Sequence, residues 1–313
     1  METLLNPFDF YTIPLDDWIS TAINFFIENF RSLFEVIRIP ISWMLEKIQW
    51  VLLSVPATFI IITVVLLAWQ IAGRTIAIYS AIALNIIGLV GAWEQAMVTL
   101  SLVVTALVIC IIIGIPIGVA CAKNDRFERI IRPILDTMQT IPAFVYLVPA
   151  VMLFGIGDVP GVLAIIIRAL PFLIQLTNLG IRQVSPEVVE AAIAFGSTPS
   201  QLLWEAQIPL AMPSILTGLN QTIMMALAMS VLTAMIGVPG LGLMVLQGVG
   251  QLNVGLAAVG GLGIVLLAIM LDRITQALGK PNLQNSWKKQ GPIGFVYSQI
   301  IREEDRKNAQ ELS

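Results

Sequence analysis

The sequence has no histidine, only two cysteines and few charges, and each shortage excludes something. Without imidazole, neither a His-dependent catalytic triad nor a His-ligated metal centre can form within the chain. Cys110 and Cys121 share one apolar run, and their separation along a helix is roughly 16 Å. That is beyond disulfide reach, so both read as small apolar packing residues. Charged residues make up 12% of the chain, against the roughly 25% of soluble domains. The net charge of −3 comes without a basic cluster, which argues against nucleic acid as a partner. No G-x-x-x-x-G-K-[ST] loop occurs, since Gly279-Lys280 is followed by Pro281. No nucleotide or other cofactor is therefore expected in this chain. The opening METLLNPFDFYTIPLDD lacks a basic stretch leading into an apolar one, so no cleavable signal peptide is expected.

What the chain has instead is long apolar runs. Hydrophobic residues account for 57% of it and the mean hydropathy is +0.88, which places it in a bilayer. The reading is an all-α, polytopic membrane helix bundle in three parts. Residues 1–50 form an N-terminal interfacial segment, 51–271 the transmembrane domain and 272–313 a charged tail. In the first part, Trp18, Ile19, Ala22, Ile23, Phe26 and Phe30 recur at helical spacing, as do Leu33, Phe34, Ile37, Ile41, Met44, Leu45 and Ile48. They suggest two amphipathic helices on the membrane surface or on the bundle, the second kinked at Pro40.

About seven spans follow: 51–69, 75–91, 96–122, 136–154, 161–181, 212–236 and 254–271. Trp50 and Trp69 bracket the first as interfacial anchors. With the 182–211 loop in the cytoplasm, 13 of the 17 basic residues lie inside, among them Arg74, Lys123, Arg126, Arg129, Arg132 and Arg273. This bias implies the N-terminus outside and the C-terminus inside.

The polar segment between the fifth and sixth spans, IRQVSPEVVEAAIAFGSTPSQLLWEAQIPLAMP, has its own start and stop signals. Ser185 and Pro186 begin a helix, Glu187 complements its dipole and Gly196 ends it. After Ser197, Thr198 with Pro199 and Gln201 forms a capping-box start, and the second helix is expected to stop at about Ile208, before Pro209. A rigid helix–glycine–helix element of this kind transmits a rigid-body motion that a floppy loop would absorb.

Glu190-Ala191-Ala192, with Gly196 after it, resembles the EAA loop of permease subunits in bacterial ATP-driven importers. The runs QAMVTLSLVVTAL, IPAFVYLVPAVMLFGIGDVPGV, PLAMPSILTGLNQTIMMALAMS and GLAAVGGLGIVLLAIMLDRITQALG are similar to the permease subunit of glycine betaine/L-proline importers. The closing Ile-x-Leu-Pro of the family loop falls on Ala206, Gln207, Ile208 and Pro209, with Ala206 smaller than the usual branched residue and Ile208 in place of leucine.

The resemblance implies a type I ABC importer transmembrane fold in the bacterial inner membrane and a homodimer with a second copy of the chain. It also implies a cytoplasmic ABC ATPase that binds ATP and its Mg ion in place of this chain, a periplasmic or lipid-anchored binding protein and a compatible-solute substrate. Choline, carnitine and trimethylamine N-oxide are alternative solutes. A self-sufficient channel or secondary transporter is a different class, which predicts transport without an ATPase. A membrane enzyme is a third, which needs a convergent catalytic cluster that the sequence does not show.

Six residues are candidates for the translocation path. Phe144, Tyr146 and Phe172 offer aromatic faces to a quaternary ammonium, Met225 and Met229 offer soft surface, and Arg168 is a charge inside a span. Gly114, Gly118 and Ala122 form a small-residue face suited to close helix packing. Pro142, Pro149, Pro171 and Pro213 are candidate kinks. The glycine-rich stretch 237–255 reads as an outer loop or a segment dipping into the membrane.

Overall fold

A computed structural model describes residues 14–279, all helices and connecting turns with no strand among them. Four helices are long and apolar enough to cross a membrane: α4 (Trp93–Lys123), α7 (Asp158–Arg182), the continuous stretch Pro199–Ile236, and α12 (Val254–Leu278). This is fewer than the seven expected runs, because the first, second and fourth are not single long helices. The run 51–69 begins inside α1 (Leu15–Ser54) and turns by 105° into α2 (Ala57–Ala72), so Trp50 and Trp69 do not bracket one helix. The second corresponds to α3 (Arg74–Leu89), which has 16 residues. The fourth is broken by 100° between α5 (Asp125–Thr140) and α6 (Ala143–Phe154). Counting each bent pair as one span gives six.

The breaks have local causes. Pro142 and Pro56 each precede a helix start with extended ψ, and a proline supplies no N–H to continue the preceding helix. In α1 the sequence suggested a kink at Pro40, but the non-helical residue is Phe30, at φ −120° and ψ 18°. Pro149, Pro171 and Pro213 lie inside α6, α7 and α10 (Ile208–Thr233), so of the four candidate prolines only Pro142 marks a sharp break. Residue 50, expected as a domain boundary, falls within α1, and α12 continues past residue 271 to Leu278. The tail from 280 onward lies outside the described residues.

Helix α7 is the centre of the bundle, packed between α4 and α10. Small residues permit the approach. A Cβ on Gly118 would lie 2.6 Å from Thr177 Cβ, and one on Gly180 would lie 2.6 Å from Ser214 Cβ. Gly114 likewise faces Leu170 and Leu173, so the Gly114–Gly118 face packs against α7 within the chain. A core of Leu102, Ala106, Val162, Ile165, Ala169, Leu173, Ala226 and Leu227 fills this three-helix unit. A second core joins α2, α3, α4 and α12 through Ile60, Leu84, Ile87, Met97 and Leu267.

The stretch 237–255 is not a plain loop. It contains α11 (Leu241–Gly250), an apolar helix folded back on α12, with Gly248 against Ala257 and Gly260 against Leu241 and Met244. The N-terminal Leu241 N–H donates to Thr99 Oγ1 at 2.9 Å, which ties α11 to α4.

Candidate functional site: the loop between α7 and α10

Helix α8 (Pro186–Ala194) follows Arg182, the last residue of α7, after a short turn. Ser185 occupies the N-cap position as expected, but its side chain makes no capping hydrogen bond. The C-terminus closes as the sequence indicates. Gly196 takes φ +85°, the Gly196 N–H donates to Ile193 O at 2.9 Å, and Ser197 N–H donates to Ala192 O at 3.1 Å. These paired bonds are a Schellman motif, which requires a left-handed residue where glycine stands.

The restart at Thr198 is a reciprocal capping box. Gln201 N–H donates to Thr198 Oγ1 at 3.3 Å, and Thr198 N–H donates to Gln201 Oε1 at 3.0 Å.

The second helix does not stop at Ile208. Helix α9 (Pro199–Gln201) widens into a π-helical turn over Leu202–Gln207 and continues directly into α10. Pro209 explains the turn. A proline ring clashes with the carbonyl four residues back and supplies no N–H, and the wider turn relieves both conflicts. Ile208 N–H accordingly donates to Leu203 O, which shifts the register by one residue. The loop is thus one rigid extension of a membrane-spanning helix.

The loop is held from beneath and open above. Leu203 and Val184 are buried, whereas α8 buries no residue fully. Glu190 and Ala191 are exposed, Ala192 and Ala206 are half-buried, and Pro209 is exposed. Glu190 stands at the mouth of a cleft of about 340 Å³ shared with Lys123, Arg182 and Gln207. Phe195 is 93% exposed and Trp204 64% exposed, and Val188 and Ile193 are exposed beside them. The sequence reading passed over Phe195 and Trp204. The signal was there, since each is a large aromatic in an otherwise polar connector.

Below the loop, Arg182 gathers polar groups from three elements. Its Nη2 donates to Cys121 O at 2.8 Å and to Asp125 Oδ1 at 2.7 Å, and lies 3.0 Å from Glu128 Oε2. Its Nε donates to Asn178 Oδ1 at 2.9 Å, and Asn178 Nδ2 donates to Glu128 Oε1 at 2.9 Å.

Of the six path candidates, two meet. Tyr146 Oη donates to the Met229 sulfur at 4.0 Å, and Met229 is buried. Phe144 is exposed on α6, and Phe172 and Met225 are half-buried. Arg168 donates to the Gln139 carbonyl, in the last turn of α5 at its break from α6. A carbonyl there has lost its helical partner, and α5 has no basic residue of its own in its last turn.

Comparison with known proteins fits this architecture. The chain is 51% identical to the glycine betaine/proline betaine transport system permease protein ProW of Escherichia coli (strain K12), over 96% of this chain and 85% of that protein. It is 44% identical to the glycine betaine/carnitine transport permease protein GbuB of Listeria monocytogenes serotype 1/2a (strain 10403S), over 86% of this chain and 96% of that one. The MetNI methionine ABC transporter, solved in an inward-facing conformation, shares the fold with a TM-score of 0.53 at 20% identity, over 62% of this chain and 95% of that one. Residues 114–281, which run from the middle of α4 through the loop to the end of α12, match the family described as binding-protein-dependent transport system inner membrane component. The chain therefore belongs to the binding-protein-dependent transport system inner membrane component family.

Proposed function

We propose that this chain is the permease subunit of an ATP-driven importer for glycine betaine and related methylated zwitterions. In this reading it works as a homodimer with a separate ATPase and a separate solute-binding protein. The observation that carries the mechanism is the capped loop of residues 185–209, rigidly continuous with α10 and presenting Phe195 and Trp204 outward. Glu190, Ala191, Ala192, Gly196, Ser197, Pro199, Ala206, Ile208 and Pro209 then form the ATPase-docking element. Closure of the ATPase subunits displaces the loop, and α10 moves with it through the unbroken helical junction, while α7 is joined to it by the short turn before Pro186.

With the loop in the cytoplasm, the N-terminus outside and the C-terminus inside, the crossings are odd in number, which makes the short α3 the seventh beside the four long helices and two bent pairs. Lys123 and Arg182 at the loop end of the bundle agree with the positive-inside bias. The exposed apolar face of α6, with Phe144, Val145 and Val148, is offered to the second copy. Tyr146 and Met229 lie behind it as lining of each half of the path. The names of the relatives support the solute class.

The experiment is uptake of labelled glycine betaine in a bacterium stripped of its own osmolyte importers. Uptake is expected only when this chain, its ATPase and its binding protein are expressed together. Transport by this chain without the ATPase would refute the reading in favour of a channel or secondary transporter.

A further inference from the structure

We infer that a polar seam between α5 and α7 is the transmission element that links the loop to the helix break at Pro142, with Arg182 and Arg168 as its end clamps. The inference rests on the proposed function, since it gives that mechanism its internal linkage.

Arg168, Gln175, Asn178 and Arg182 fall on one face of α7, at spacings of seven, three and four residues. Each meets α5 or its flank. At the loop end Arg182 and Asn178 hold Asp125 and Glu128. In the middle, Gln175 Nε2 donates to Asp136 Oδ1 at 3.4 Å and Gln139 Nε2 donates to Gln175 Oε1 at 3.3 Å. At the far end Arg168 donates to the Gln139 carbonyl beside the break. The contacts thus run the length of α5, from the root of the loop to the point where the helix turns by 100°.

The strength of the seam is uneven, and this decides its role. Asp125 is largely exposed, so its ion pair alone contributes little. Glu128 is 27% exposed and receives both Arg182 and Asn178, while Arg182 also holds the Cys121 carbonyl at the end of α4. A guanidinium with its fixed fork satisfies four groups on three elements, which an ammonium cannot. The gripped end of α5 is itself rigid, because Asn124 Oδ1 accepts the Arg126 N–H at 2.9 Å and the Phe127 N–H at 3.2 Å. The longer bonds in the middle bridge an open cleft of about 450 Å³. The loop root, the end of α4 and the start of α5 therefore move as one body, and α5 carries the motion to its break. Arg182 and Arg168 act as positioning residues, and the charge of Arg168 is used within the chain.

The test uses the full complex of permease, ATPase and binding protein in proteoliposomes, scored as glycine betaine imported per ATP hydrolysed. Uptake by the unaltered complex tests the proposed function. Arg182→Gln is expected to keep ATP hydrolysis while import per ATP falls roughly tenfold, and Arg182→Lys to recover only part of it. An unchanged ratio in Arg182→Gln would overturn the inference.

A second measurement leaves the seam intact. Spin labels at Arg129→Cys on α5 and Glu187→Cys on α8 are expected to hold one distance in the nucleotide-free and ATP-bound complexes. A distance that changes with nucleotide would overturn the inference even if the solute proves to be another one.

Discussion

Gly196, Thr198 and Arg168 show how much single positions carry. Gly196 has open space where a Cβ would go, yet its φ of +85° disfavours any L side chain, at a cost of about 1–2 kcal/mol. Gly196→Ala is therefore expected to weaken the turn through backbone strain alone. Faster amide hydrogen exchange across residues 192–203 would show it. Thr198→Ala removes one half of the capping box, worth about 1 kcal/mol, and is expected to raise exchange at residues 199–203 while α8 is spared.

Arg168→Met leaves the Gln139 carbonyl at the break without its donor. It is expected to lower the thermal midpoint of the purified permease, and Arg168→Lys to restore part of the loss. The caps were legible in the sequence because glycine, threonine and glutamine act on immediate neighbours. The partner of Arg168 was not, because it stands 29 positions away on another helix. A charge in a span announces a partner but not its identity.

Among the helices, local chemistry predicted well where the period was clean and poorly where prolines and short runs intervened. Helices α4 and α7 match the apolar runs within a few residues, and α12 starts where its run does but continues to Leu278. Pro142 was visible as a candidate kink, but its 100° break within the run 136–154 was not, because hydropathy averages over a bend. The continuity of α9 with α10 escaped the reading for the opposite reason. Pro209 is an ordinary stop signal, and only a π turn lets the helix pass it. The face formed by Gly114 and Gly118 was visible as small residues, but its partner α7 was not. Gly118→Val would put its side chain within 3 Å of Thr177 and the Ile174 carbonyl. Overpacking of this kind costs about 1–3 kcal/mol, so a lower thermal midpoint is expected, together with loss of α4–α7 register. Gly261→Val, where a Cβ meets nothing within 4 Å, serves as the control.

At the scale of the whole molecule, one helix organises function. Helix α7 lies between α4 and α10, continues into the loop at one end and carries both clamps of the seam to α5. The two ends of the bundle differ accordingly. The loop end exposes Phe195 and Trp204, while the opposite end exposes Ile156, just before α7 begins. Fold class and the presence of a rigid loop could be read from sequence because they depend on apolar period and local caps, and the family from the resemblance carried by the Glu190-Ala191-Ala192 loop and the apolar runs. The division of labour between the two ends could not, because it depends on which helices meet.

The central claim is that the ATPase docks on the loop. Its most direct measurement is site-specific photo-crosslinking of the assembled transporter, with the reactive side chain at Phe195 in one preparation and at Ile156 in another. The expected result is an ATPase adduct from position 195 and none from position 156. An adduct from position 156, or none from position 195 in a complex that hydrolyses ATP, would contradict the account.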